Sequence, residues 1–398
     1  MNVKLKNNYL PELFALHIKR NKPSMVTVNV TAKCNQQCIY CEIGGHIDSR
    51  LKEKLNEEDL FWIIDQMAEV RINKISLCGG EPFLFDGLLN VVAYAASRKI
   101  RTSITSNGMT IHKLSTQELS VLKESKCEVN ISLDAFDNRI NSITRGAKNG
   151  LENALKSIQV LQKFNVPVTI LTAISNYNFE HLSDFVKKAF SLGIRQVLFQ
   201  PIIYYSNYPD RNSVENKNQL NVPFEKLDEL QKQLDQILQF EKKHQINTNV
   251  YRIMPWINQY LTTAAGKNGT WFFEAVLNKF YCREIYAIID IAYDGGIQSC
   301  GLRPATVSIK DRENKNLLEL WNEATHEIRN FLETGNFYPE CNGCCHHFSR
   351  NMIASMIKYP LSNRQAWATM LPLIGNRVSK RVLKNYQKSI EVAEGGDL

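Results

Sequence analysis

Between Met25 and Pro201 short β-branched runs alternate with amphipathic helical patterns, and that alternation restricts the fold more than any other feature of the chain. The runs are MVTVNV, KISL, RTSITS, EVNISL, VTILTAI and QVLFQ; between them fall stretches such as EEDLFWIIDQMAEV, LENALKSIQVLQKF and FEHLSDFVKKAFSL. Strands separated by helices of that length cannot be joined as tight hairpins, so they pair in parallel through right-handed crossovers. The six repeats predict an α/β protein built on a partial (β/α)6 TIM-like barrel, with its chemistry on loops at the carboxyl ends of the strands.

After Pro201 the pattern breaks at YYSNYPDRNSVENKNQLNVP, an Asn-rich connector. A helical pattern from Phe224 to His244 follows, then an aromatic-rich segment through Phe280. Short strands around a Gly-Gly turn come next, with five of the ten cysteines between Tyr281 and Phe348. The expected organisation is an N-terminal extension over 1–24, the barrel over 25–205, a helical connector over 206–280, a small α+β module over 281–348 and a basic helical tail over 349–398.

The N-terminus lacks the apolar core of a signal peptide, and no run approaches the ~18 apolar residues of a membrane span. The expected location is the cytoplasm, where thiols stay reduced and clustered cysteines read as metal ligands rather than disulfides. The formal charge of +8 is densest in RVSKRVLKNYQKS, residues 377 to 389. A solvated helix face accounts for that segment; peripheral contact with an anionic membrane is the other reading. No nucleic-acid-binding motif accompanies the charge, so nucleic acid is not an expected partner.

Cys34, Cys38 and Cys41 directly follow the first strand. Extended, that segment would span roughly 24 Å, so the loop must curl if its sulfurs share one metal group. His46 could complete a zinc site as a fourth ligand. The second strand ends in CGGEPFL, where Gly79 and Gly80 expose backbone at the barrel mouth and Glu81 adds a carboxylate.

With Tyr40 before the last cysteine, this constellation resembles the radical S-adenosylmethionine (SAM) superfamily. The resemblance implies a [4Fe-4S] cluster on Cys34, Cys38 and Cys41, with SAM chelating the remaining iron and Glu81 accepting from its amino group. It also implies reductive cleavage of SAM to methionine and a 5′-deoxyadenosyl radical that takes a hydrogen atom from a substrate. The partners implied are SAM, an electron donor such as a flavodoxin or ferredoxin, and a small-molecule or peptide substrate. Carried over by position, Asn107, Ser132, Asp134 and Arg145 become candidates for holding the ribose and methionine carboxylate. Asp134 and Arg145 pairing with one another is the structural alternative.

The later segments YCREIYAIIDIAYDGGIQSCG and FYPECNGCCHH place Cys282 and Cys300 around a hairpin and Cys341 and Cys344 in a C-x-x-C pair. They are similar to the Twitch and SPASM extensions of radical SAM enzymes. After Cys345 no cysteine remains, which favours the Twitch form with one auxiliary [4Fe-4S] cluster. Cys345 could replace Cys344, His346 or His347 could contribute, and four cysteines also suit structural zinc.

The expected activity is therefore oxidoreductase or other radical chemistry on a carbohydrate or cell-envelope intermediate. A peptide-modifying maturase is the alternative within the class, and a non-catalytic Fe-S or zinc-binding protein the alternative outside it.

Overall fold

The computed structural model describes residues 23–41, 54–202, 220–251, 253, 278–300, 305–336, 338, 351, 354–355, 358–359 and 362–363. Cys341, Cys344, His46 and the aromatic-rich segment 254–277 lie outside them, as do most of the basic tail and most of the N-terminal extension.

The strands β1 (Met25–Thr31), β2 (Lys74–Gly79), β3 (Arg101–Ser106), β4 (Glu128–Ser132), β5 (Val168–Ile174) and β6 (Gln196–Pro201) lie side by side in chain order, all parallel. Helices fill the crossovers: α1 (Glu57–Glu69), α2 (Leu88–Ser97), α3 (Thr116–Glu124), α4 (Asn138–Arg145) with α5 (Gly150–Lys163), and α6 (Leu182–Ser191). A helix α7 (Leu227–Lys243) leads to β7 (Asn247–Thr248), which adds in parallel to β6.

At the other edge β8 (Ile288–Ile291) pairs in parallel with β1, and β9 (Gly296–Gln298) and β10 (Val307–Ser308) follow as an antiparallel ribbon. The strands assigned to a separate C-terminal segment thus prolong the barrel sheet, giving the order β10-β9-β8-β1-β2-β3-β4-β5-β6-β7. A final helix, α8 (Leu317–Glu333), packs beside α1, and its Leu317 N–H donates to Gln66 Oε1 at 3.1 Å.

Register explains why the two faces differ. Val26 and Val28 of β1 stand beside Ile75 and Leu77 of β2 and beside Ile289 and Ile291 of β8, and all are fully buried. Leu60, Ile63, Ile64 and Met67 of α1 belong to the same core. Each such side chain contributes about 1.5–3 kcal/mol by leaving water. The opposite row, one residue out of phase, is Asp290, Thr27, Asn29, Ser76, Cys78, Thr105, Asn130 and Ser132, polar and half-buried. A parallel sheet with helices over one face and polar groups along the other fits a partial barrel with a wet interior.

The C-terminal strands are locked to α1 by charge as well as by the ladder. Asn56 and Asp59 form a reciprocal cap at the start of α1, and Asp59 also accepts from Lys310 and, at 2.8 Å, from Arg312. Burial raises the Asp59 carboxyl, but the bonds from Lys310 and Arg312 outweigh it and hold the group below the ordinary aspartate range.

Candidate active site

The loop from Cys34 to Cys41 crosses the carboxyl ends of β1 to β4 and is fixed from two sides. On the β3 side, Asn107 Nδ2 donates to Asn35 Oδ1 at 2.7 Å and lies 3.7 Å from Cys34 Sγ. On the β4 side, Ile39 N–H donates to Thr144 O at 3.0 Å, and the Cys38 thiol points at Arg145 O, 3.7 Å away. Gly146, at the end of α4, has φ of 66°, and a Cβ there would fall 2.2 Å from Gln37 O. Only glycine allows the loop to approach α4 so closely.

The anchor of the β4 side is a buried triad. Asp134 Oδ1 accepts from Arg145 Nη2 at 2.7 Å and from Ala173 N–H at 3.1 Å, while its Oδ2 accepts the Tyr40 hydroxyl. The Arg145 guanidinium also lies over the Tyr40 ring, 5.4 Å from its centroid. Burial works against the Arg145 charge, yet the Asp134 carboxylate more than offsets it and keeps the guanidinium protonated. Burial likewise raises the Tyr40 phenol well above its ordinary range, so it remains a donor. The pairing of Asp134 with Arg145 is therefore present, and Tyr40, directly before Cys41, is its third member.

Gly79 and Gly80 bring the end of β2 against the backbone of β1. A Cβ on Gly80 would stand 2.1 Å from Lys33 O, and Gly79 adopts φ of 121°. Glu81 is wholly buried, with its carboxylate accepting from Ser106 Oγ at 2.8 Å, Asn107 N–H at 2.7 Å and Phe83 N–H at 3.1 Å. Burial raises Glu81, while the Asn107, Ser106 and Phe83 bonds counter that rise. A carboxylate has about four acceptor positions, so Glu81 ties β2 to β3 and retains room for one further donor. Ser132 stands half-buried at the end of β4.

Burial raises the Cys34 thiol, and it pushes Cys38 up to about 12 despite the opposing charge of Arg145. Thiolates in such a place require a cationic companion, which iron supplies. Among the described residues no three His, Cys, Asp or Glu side chains converge on a point suited to one metal ion. A cubane cluster makes a different demand, with each thiolate binding its own iron. The donor set fits such a group.

Of the second cysteine set, Cys282 precedes the single helical turn Glu284–Ala287 and lies 3.9 Å from Asn351 Nδ2; Cys300 follows β9. Gly295, with φ of 91°, makes the turn between β8 and β9. Sequence reasoning missed Asn35, Gly146 and the triad role of Tyr40. A C-cap glycine after ITR was the one local signal for the close approach. Cys78 lies on the polar face and donates to Asn29 Oδ1 at 3.3 Å, whereas Cys127 is fully buried in the apolar core.

Residues 28–189 match the model of the radical SAM superfamily. Over 171 residues the chain is 28% identical to the sporulation killing factor maturation protein SkfB of Bacillus subtilis, covering 43% of this chain and 40% of that one. Over 186 residues it is 30% identical to the GTP 3′,8-cyclase of Listeria welshimeri, covering 44% and 54%. The chain thus spans about half the length of these curated relatives. The crystal structure of Streptococcus suis SuiB bound to S-adenosylmethionine superposes with a TM-score of 0.58 at 18% identity, covering 83% of this chain and 75% of that one, which shows a common fold. No described helix is long and apolar enough to cross a membrane. Loop, sheet and family match coincide over residues 28–189, the part of the chain that is similar to the radical SAM superfamily.

Proposed function

We propose that the chain is a radical SAM enzyme whose first [4Fe-4S] cluster sits on Cys34, Cys38 and Cys41. The observation that carries this is the loop itself: three thiols held at the carboxyl edge by Asn107 on one side and Arg145 on the other, above a polar interior. When bound, the cluster supplies the electron that cleaves SAM to methionine and a 5′-deoxyadenosyl radical, which removes hydrogen from the substrate.

The chain's own residues hold and shield. Tyr40, Asp134 and Arg145 keep the cysteine loop closed over the strand ends. Glu81, bonded to the Asn107 N–H, can take one donor from the SAM amino group, and Ser132 at the end of β4 is a further candidate contact. The barrel wall excludes water that would quench a radical.

Cys282 and Cys300, together with Cys341 and Cys344, form a Twitch-like or SPASM-like auxiliary cluster in this reading. The reaction is of the oxidoreductase type, in the cytoplasm, with a flavodoxin or ferredoxin as electron donor. Hydroxyl and amide groups along the interior suit a polar, carbohydrate-like or envelope-derived substrate. A peptide is the second reading, favoured by the likeness to SkfB, by name a maturation protein.

Anaerobically reconstituted protein given SAM and dithionite should release 5′-deoxyadenosine, and Cys38→Ala should reduce that product by at least roughly 100-fold while the auxiliary iron persists. Wild-type protein with an intact cluster and no 5′-deoxyadenosine would refute the assignment.

A further inference from the structure

Among the described residues, the polar face holds an acid with a buried, unpartnered oxygen that nothing in the cysteine loop uses. Asp290, on β8, stands beside Thr27 of β1 and directly opposite Gln298 of β9. Its neighbours Ile289 and Ile291 face the helices and are fully buried, so the Asp290 side chain belongs to the interior row. Among the described residues its Oδ1 is buried without a hydrogen-bond partner. Every other described acid in the candidate site is engaged: Glu81 by Ser106 and Asn107, Asp134 by Tyr40 and Arg145. A buried carboxylate oxygen left without a donor keeps its desolvation penalty, which an incoming donor removes.

Resting on the reading of this interior as the substrate chamber of a radical SAM enzyme, we propose that Asp290 anchors the substrate by receiving its protonated amine. Thr31, at the end of β1, lies four positions beyond Thr27, so the anchor lies about 13 Å below the strand ends at ~3.3 Å per residue. An amine held there leaves the rest of a small polar substrate extending toward the cysteine loop. Among the described residues, the ladder neighbours of Asp290 are the uncharged Thr27 and Gln298, with Asn29 and the titratable Cys78 thiol next on that face, and Lys74, Arg101 and Glu128 farther along it on β2, β3 and β4. Burial alone pushes Asp290 up to about 6; burial also raises Cys78, and the Asp290 charge adds to that rise. Among the described residues the Asp290 Oδ1 has no donor, and a cationic ligand is its complement.

The test needs no turnover. In infrared titrations of the full chain carrying its clusters, the protonated carboxyl band removed by Asp290→Asn should half-titrate near pH 6. Adding n-butylammonium should lower that midpoint by about one unit, whereas n-butanol should leave it unmoved. Should Asp290→Asn not fold, Asp290→Glu identifies the band by shifting it. An Asp290 band that titrates in the ordinary aspartate range, or moves equally with amine and alcohol, overturns the proposal. Failure is separable from failure of the enzyme reading: 5′-deoxyadenosine formation without an amine effect sinks only the anchor. An amine effect without 5′-deoxyadenosine sinks only the radical assignment.

Discussion

The cysteine loop after β1 and the C-terminal ribbon β8 to β10 hold their cysteines by different means. The loop lacks a strand ladder among the described residues and is held chiefly by side chains, Tyr40 on Asp134, Arg145 on Asp134 and Asn107 on Asn35, with the backbone bond from Ile39 to Thr144 added. The ribbon is held by its backbone, through β8 on β1 and β9 on β8, with the Asp59 pairs to Lys310 and Arg312 as an addition. A ladder tolerates most substitutions, whereas a side-chain clamp depends on particular residue types. Single changes should therefore act sharply on the first cysteine set and mildly on the second.

The comparison breaks most visibly at Asp134. Asp134→Ala leaves the Arg145 guanidinium buried without its partner and should cost about 3–5 kcal/mol, read as a shift of the urea midpoint. Iron at the first site should fall while iron at the auxiliary site persists. Equal loss at both sites would show that the clamp is not local to the loop.

Gly146→Ala should cost about 1–3 kcal/mol, because its positive φ and the approach of Gln37 both disfavour a Cβ. Hydrogen exchange of the Ile39 amide, bonded to Thr144 O, should quicken with it.

Asp59→Asn should cost about 1–2 kcal/mol, with faster exchange confined to the start of α1 and the turn Ile309–Asp311. The Asp59 carboxyl is lowered in the folded state, so its contribution is full above the unfolded aspartate pKa of about 3.9. It fades as pH falls through the lower folded value. Wild type and variant should therefore converge in stability on acidification and diverge at neutral pH. A difference that grows in acid would contradict the pairing.

Tyr40→Phe removes one hydroxyl from a carboxylate that keeps Arg145 and Ala173, and should cost about 1 kcal/mol with a measurable rise in Cys41 amide exchange.

Much of this was legible in the chain. Strand β3 over RTSITS and strand β5 over VTILTAI fall where alternation and β-branching placed them, because half-buried parallel strands state their own period. Helix α6 begins three residues later than its pattern, since Phe179–His181 forms a tighter turn first. The three cysteines and the glycines before Glu81 were legible because metal ligation and close backbone approach demand those residue types. The pairing of β8 with β1 was not: IIDI reads as a hairpin arm, and nothing local tells which distant edge it will join. The direction of the Glu81 carboxylate, into Ser106 and Asn107, was equally hidden, because side-chain partners from other strands leave no mark on local spacing.

The most direct measurement of the central claim uses the chain with Cys282 and Cys300 both changed to alanine, reduced anaerobically and studied by electron paramagnetic resonance with and without SAM. One cluster's iron should remain, and SAM should alter its signal by completing the open iron. A retained cluster whose signal SAM leaves unchanged, or a chain with no cluster once those two cysteines are gone, would contradict the account.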